Sequence, residues 1–138
     1  MFDKATGVAV IQGHRLLFGL RTDGQGWSLA GGKLEDGESK EECAKRELFE
    51  EFGITAHSLT YIGQVSATAY IKGKNQKVKP HIFACASFSG DVDINPKEMK
   101  SFRWFSMEDI ETMENVFPPS AAAIPLIKKY LDRSCCSL

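Results

Sequence analysis

Between Ser39 and Gly53 the chain carries the markers of both ends of a helix and, between them, more acid than a helix face ordinarily tolerates. Ser39 followed three residues later by Glu42 is the capping-box pattern, in which each side chain satisfies the other's backbone N–H. Gly53 supplies the left-handed residue that ends helices. A helix is therefore predicted over Lys40 to Phe52, with Ala44, Leu48 and Phe52 recurring at four-residue steps toward the core. Glu47, Glu50 and Glu51 stand at i, i+3 and i+4, so their carboxylates emerge side by side. Like charges at this spacing destabilise an isolated helix by roughly 0.2–0.5 kcal/mol per pair. In a partly buried groove the cost rises unless a cation sits among them. Oxygen ligands of this hardness suit Mg²⁺ or Mn²⁺, and because Mg²⁺ seldom occupies an all-protein cage, substrate phosphates are expected to complete its shell. A bare E-x-x-E-E is more often a solvated helix face, so the surroundings decide.

Those surroundings are specific. Gly32, five residues, Glu38, seven residues, then Arg46-Glu47-Leu48-Phe49-Glu50-Glu51-Phe52-Gly53-Ile54 match the Nudix box, G-x5-E-x7-R-E-U-x-E-E-x-G-U with U aliphatic, at all nine defined positions over residues 32–54. The chain thus resembles the Nudix hydrolases, and the resemblance implies an α/β fold, an α/β/α sandwich around a central mixed sheet, filling 1–138 as a single domain. It implies metal ligation by Glu47, Glu50, Glu51 and the Gly31 carbonyl. Gly31 and Gly32 are expected to turn the backbone sharply toward the phosphates. Glu38 can pair with Arg46 and fix the helix to the preceding loop, and Lys33 can meet a phosphate oxygen. Beyond the box, the match to MutT-type members carries metal binding to Glu98, after Pro96-Lys97, and phosphate contact to Arg21. The segment Phe117-Pro118-Pro119 with Ile124-Pro125 is similar to the part that builds their nucleobase pocket. Ser28 and Ser120 are candidates to hydrogen-bond a base, and Phe117 and Trp27 to stack on one.

The rest of the chain agrees with that fold. Thr6 to Ile11 and Arg15 to Leu20 read as a hairpin, followed from Thr22 to Gly37 by a long glycine-rich loop holding an exposed-looking Trp27 and one short extended piece, Trp27 to Ala30. Leu59 to Gln64, Ala67 to Ile71 and His81 to Phe88 read as strands, with Lys72 to Lys79 as a basic loop, and Phe102 to Phe105 as a short further strand. Ser106 with Asp109 opens a small helix, and Ser120 to Leu131 forms another, with Pro125 acceptable only near its first turn.

Composition excludes several functions. The 17 basic and 18 acidic side chains nearly cancel, so no broad positive field exists to grip polymeric nucleic acid. Cys43, Cys85, Cys135 and Cys136 form no C-x-x-C pair and the three histidines are scattered, which argues against zinc. No long apolar segment suggests a membrane partner or a secretory signal, so the chain is expected to be cytoplasmic with reduced thiols. Cys135-Cys136-Ser137-Leu138 only loosely matches a prenylation signal and lacks a polybasic run before it. Oligomeric state is not legible.

The resemblance implies cleavage of a nucleoside triphosphate to monophosphate and pyrophosphate, with an oxidised substrate such as 8-oxo-dGTP first. Carboxylates and a divalent ion suffice for that chemistry, because substitution at phosphorus needs positioning and charge stabilisation rather than a covalent nucleophile. Either Glu47 or Glu50 serves as base, and Glu51 as an essential ligand. Two departures stand against simple transfer. Ala121 replaces the asparagine that reads the purine edge in MutT-type members, and Pro119 and Ser120 stand where animal 8-oxo-dGTPases have paired aspartates. ADP-ribose and dinucleoside polyphosphates are the alternative substrates, the latter cued weakly by Tyr70. A nucleotide sensor without turnover is the alternative of another class, usually marked by loss of a box carboxylate.

Overall fold

The computed structural model describes residues 4–136, with side chains described through residue 133. The termini, including the Cys135-Cys136-Ser137-Leu138 ending weighed for prenylation, lie outside the described side chains. Nine strands and three helices follow in the order β1 (Ala5–Gln12), β2 (Arg15–Arg21), β3 (Trp27–Ser28), β4 (Ala30–Lys33), α1 (Lys40–Phe52), β5 (Thr55–Gln64), β6 (Ala67–Ile71), β7 (Lys74–Val78), β8 (His81–Ser89), β9 (Met99–Ser106), α2 (Met107–Glu111) and α3 (Pro118–Cys136) among these residues.

Alternation along β1 explains the layering. Val8 and Val10 point to one face and join a core with Leu48 and Phe52 of α1, while Ala9 points to the other and joins Ala123 and Ile127 of α3. Burying both faces of the sheet requires a helix on each side, and the result is the α/β/α sandwich expected from the sequence. The sheet is mixed: β1 pairs parallel with β8 and antiparallel with β2 and β4. β1 meets β2 only at the hairpin, through Ile11–Leu16 and Gln12–Arg15. β2 pairs with β9 along its whole length; beyond the hairpin it parts from β1, and β4 takes its place beside the first half of β1. The parting of β1 and β2 opens the molecule between Arg21 and Gly31, and the candidate site lies there.

Several local expectations needed correction. The basic stretch read as a loop contains β7, which folds back on β6 through the two-residue turn Lys72-Gly73. A lysine in the left-handed region, φ 52, hides a turn that asparagine would have announced. Trp27 is half-buried, packed edge-on against Phe105 at 5.1 Å between centroids. Helix α3 starts at Pro118, where a missing N–H costs nothing, and continues through Pro125 well past its first turn. Pro125 gives up one internal hydrogen bond there, and Ala123 and Ile127 on either side are fully buried, so packing outweighs that loss. β5 and β9 begin earlier than the apolar runs suggested, at Thr55 and Met99.

Candidate active site

Helix α1 is built as read. The Ser39 hydroxyl accepts from Glu42 N–H at 3.1 Å, the Glu42 carboxylate accepts from Ser39 N–H at 2.8 Å, and Gly53 closes the helix at φ 71. The three glutamates differ in environment. Glu51 is buried, and its Oε1 accepts from the Gly31 N–H at 2.8 Å. Glu47 is largely covered, its side chain 14% exposed, whereas that of Glu50 is 50% exposed. Arg46 organises the outer two. Nε and Nη2 donate to Glu38 at 2.7 and 3.0 Å, Nη1 to Glu47 at 2.5 Å and Glu50 at 3.1 Å, and Nη2 also to the Lys33 carbonyl at 3.1 Å. All five guanidinium hydrogens can be used this way, which a lysine could not reproduce. The expected Glu38–Arg46 pair is present and locks the preceding loop to the helix.

The glycine bend is a different object from the one expected. Gly31 and Gly32 lie in extended β4, opposite Gly7 and Thr6 of β1, and neither has a positive φ. Their lack of side chains serves close approach. A Cβ on Gly31 would lie 2.2 Å from the Thr6 carbonyl oxygen, and one on Gly32 would lie 2.5 Å from the Glu47 carboxylate. The carboxylates of α1 therefore rest directly against bare backbone.

Beside them opens a cavity of about 510 Å³. It brings together Gly31, Glu47, Glu51 and Glu98 with the basic Arg21 and Lys33, and Phe117 forms part of its wall. The side chain of Arg21 lies over the Phe117 ring, 4.0 Å from its centroid. An adjoining cleft of about 60 Å³ is shared by Arg21, Phe117 and Ser120. Ser120 Oγ already accepts from the buried Leu29 N–H at 3.0 Å, which leaves its proton to give. Glu50 is not part of the lining but stands at the Arg46 side. Ser28 lines neither space: it pairs across from Gly19, on the face carrying Met99 and Phe52, and its hydroxyl is buried there without a partner. As a residue for hydrogen-bonding a base it is misplaced, because strand alternation sends it to the opposite face from Leu29. Trp27 likewise lines neither space, being committed to Phe105.

Asp23, Lys72 and Lys97 also line the cavity and were missed. Asp23 is two residues from Arg21, a spacing that could have suggested their pairing; it takes Arg21 Nε and Nη2 on its carboxylate, at 2.6 Å for the shortest. That hydrogen-bonded pairing holds the Asp23 carboxyl at about 2, below its ordinary 3.8.

Electrostatics separate the acids. Arg46 holds Glu38 at about 2, against an ordinary 4.5. Burial pushes Glu47 up to about 7, with the nearby Glu50 and Glu98 charges acting in the same sense and Arg46 opposing. Burial also raises Glu51 well above the ordinary value, despite the Gly31 N–H it accepts. Two desolvated carboxyls facing Glu98 form a site that gains from a cation. Among the described residues, no three acid, histidine or cysteine side chains form a finished cage. The donors are nonetheless hard oxygens suited to Mg²⁺ or Mn²⁺, arranged as an open site that further oxygen ligands could complete.

Comparison with known proteins shows the family and the fold. A family model for the NUDIX domain matches residues 1–127. The chain is 32% identical over 127 residues to the oxidized purine nucleoside triphosphate hydrolase of Mus musculus, covering 88% of this chain and 77% of that protein. Identity to the protein of the same name from Danio rerio is 34% over 110 residues, 76% of this chain and 67% of that one. Among solved structures, the MutT protein from Methanosarcina mazei superposes with a TM-score of 0.76 at 26% identity, over 96% of this chain and 94% of that one. No helix among the described residues is long and apolar enough to cross a membrane.

Proposed function

Since this chain belongs to the NUDIX domain family, we propose that it hydrolyses an oxidised purine nucleoside triphosphate such as 8-oxo-dGTP to the monophosphate and pyrophosphate. It is a metal-dependent nucleotide hydrolase by family, and Mg²⁺, with Mn²⁺ as substitute, is the ion we assign. The observation that carries the reading is the single cavity in which Glu47, Glu51 and Glu98 face Arg21, Lys33 and Phe117. Anion-binding, cation-binding and ring-stacking groups meet there, as a metal-bound nucleotide needs.

In this reading Gly31, Glu47, Glu51 and Glu98 would hold the cation, with Glu50 next to Glu47 on Arg46. When bound, it neutralises charge on the phosphate oxygens and favours attack by water. The chain's own residues do the rest. Arg21, braced by Asp23, and Lys33 hold the phosphates in line. Water attacks the phosphorus on one side of the oxygen bridging the α and β phosphates, the bond from that phosphorus to the bridging oxygen breaks, and the products part as monophosphate and pyrophosphate. Glu47 takes the proton from water: it reaches the cavity, and Arg46 Nη1 fixes its carboxylate there. Arg46 positions it. Phe117 supplies a flat apolar wall for the base, and the Ser120 hydroxyl can donate to an acceptor on its edge, which offers a route to purine reading without the asparagine absent at Ala121.

The test is a panel of standard and oxidised nucleoside triphosphates, ADP-ribose and dinucleoside polyphosphates, each with Mg²⁺ and with Mn²⁺. Preferential turnover of an oxidised purine triphosphate with release of pyrophosphate is expected. Orthophosphate as the product, or preference for ADP-ribose or a dinucleoside polyphosphate, would overturn the assignment.

A further inference from the structure

Strands β6 and β7 form a two-stranded unit separate from the main sheet. An isolated hairpin is marginal in water, so its anchorage matters. Ala69 and Val78 are buried. A polar tie comes from Gln25, in the loop after β2. Its Nε2 donates to the Tyr70 carbonyl at 2.8 Å, and its Oε1 accepts from the Tyr70 N–H at 3.1 Å. One side-chain amide thus bonds β6 as a neighbouring strand would. The amide cannot turn over, because Nε2 also donates to Asp23 Oδ2 at 3.0 Å and a carboxylate only accepts. Asp23 in turn braces Arg21, which lies over Phe117. The hairpin is clipped to the same loop that holds Arg21 in the cavity.

At the hairpin tip, Ile71 pairs with Lys74 and leaves Lys72-Gly73 as the turn, with φ 52 and 83. Positive φ at both central positions is a type I′ turn, for which asparagine followed by glycine is the favoured pair. Gly73 fits that rule and Lys72 does not, since the left-handed conformation crowds the Cβ against the following carbonyl and lysine lacks the short polar group with which asparagine offsets that cost. Lys72 nevertheless stands there, and it lines the cavity with Glu47, Glu51 and Glu98. A residue kept in an unfavourable conformation at the edge of a site suggests a task for its side chain.

We propose that Lys72 binds the polyphosphate portion of the substrate and that Gln25 is a positioning residue holding it over the cavity. The proposal rests on the reading of this cavity as a nucleotide site. An ammonium on a flexible stem at the tip of a clipped hairpin can follow the outer phosphates, adding to the charge that Arg21 and Lys33 supply.

Calorimetry with inorganic triphosphate and Mg²⁺ tests it, alongside thermal melting. Lys72→Asn is expected to weaken triphosphate binding about 10-fold, the loss of one charge-assisted contact. Its Tm is expected to hold or rise, because asparagine suits the turn. A merely structural role would move stability and affinity in the same direction. Gln25→Ala is expected to weaken binding by a similar factor, most of which should disappear in the Lys72→Asn background, because the clip acts chiefly through Lys72. Equal affinity of Lys72→Asn and the parent protein, no triphosphate binding by the parent, or a Gln25→Ala loss that persists fully without Lys72 would each overturn the proposal. Nucleotide turnover is measured separately. Its absence sinks the proposed function, whereas triphosphate binding that ignores Lys72 sinks only this inference.

Discussion

Replacing Gly32 with alanine probes the contact between β4 and α1 on the catalytic side alone. The added Cβ would lie 2.5 Å from the Glu47 carboxylate, where real contacts stay beyond about 3.0 Å and ordinary ones begin near 3.4 Å. The carboxylate must therefore retreat by about 0.5–1 Å. What moves is the free end of a side chain, so β4 can stay paired with β1 and the fold is expected to survive with Tm changed by only a few degrees. Catalysis is less tolerant, since misplacing a reacting group by about 1 Å can cost 10²-fold. Gly31→Ala is the control. Its Cβ would lie 2.2 Å from the Thr6 carbonyl oxygen, and backbone cannot retreat without breaking the β1–β4 pairing. That variant is expected to lose stability first. The assay is steady-state pyrophosphate release with Mg²⁺ beside thermal melting of both variants. Parent-like kcat in a folded Gly32→Ala protein would refute the claim that Glu47 must occupy its observed place.

Other consequences are open to direct measurement. Glu47 titrates near 7 in the folded protein against an ordinary 4.5, so in EDTA its burial penalty is absent below pH 4.5, grows with rising pH and is complete above about 7. That difference corresponds to about 3 kcal/mol; denaturant melts should show stability falling over this window in the parent, less steeply in Glu47→Gln, with Mg²⁺ restoring it at pH 8. Arg46→Lys is expected to cost about 2–3 kcal/mol in urea unfolding, because one ammonium cannot serve Glu38, Glu47, Glu50 and the Lys33 carbonyl together. Stability equal to the parent would show those bonds to be idle. Ser120→Ala leaves the buried Leu29 N–H without its acceptor and is expected to cost about 1–3 kcal/mol by the same method, with a raised KM for the nucleotide. An unaltered KM would remove Ser120 from base recognition.

What the sequence disclosed was local. Helix α1 carries its caps, its buried stripe and its acids within fifteen residues, and nothing distant alters them. The pairing of Glu38 with Arg46 was legible for the same reason. Contacts fixed by strand pairing were not legible. Gly31 and Gly32 looked like a bend because glycine pairs usually mark one; only the folded chain shows Gly31 pressed against the Thr6 backbone and Gly32 against the Glu47 carboxylate. Ser28 and Ser120 looked equivalent as donors, yet alternation in β3 sends Ser28 to the far face. The clip from Gln25 to Tyr70 spans 45 residues and leaves no mark in either segment. Lys72 was obscured by its own unsuitability for the turn it makes.

The proposed chemistry requires Glu51 to be a buried carboxylate serving a cation beside the Gly31 strand. Pyrophosphate release by Glu51→Gln at saturating Mg²⁺ and nucleotide tests it directly. The amide preserves size and can still accept from the Gly31 N–H, so the fold should hold while turnover falls roughly 10³-fold. A folded Glu51→Gln protein turning over at the parent rate would contradict the metal-site assignment.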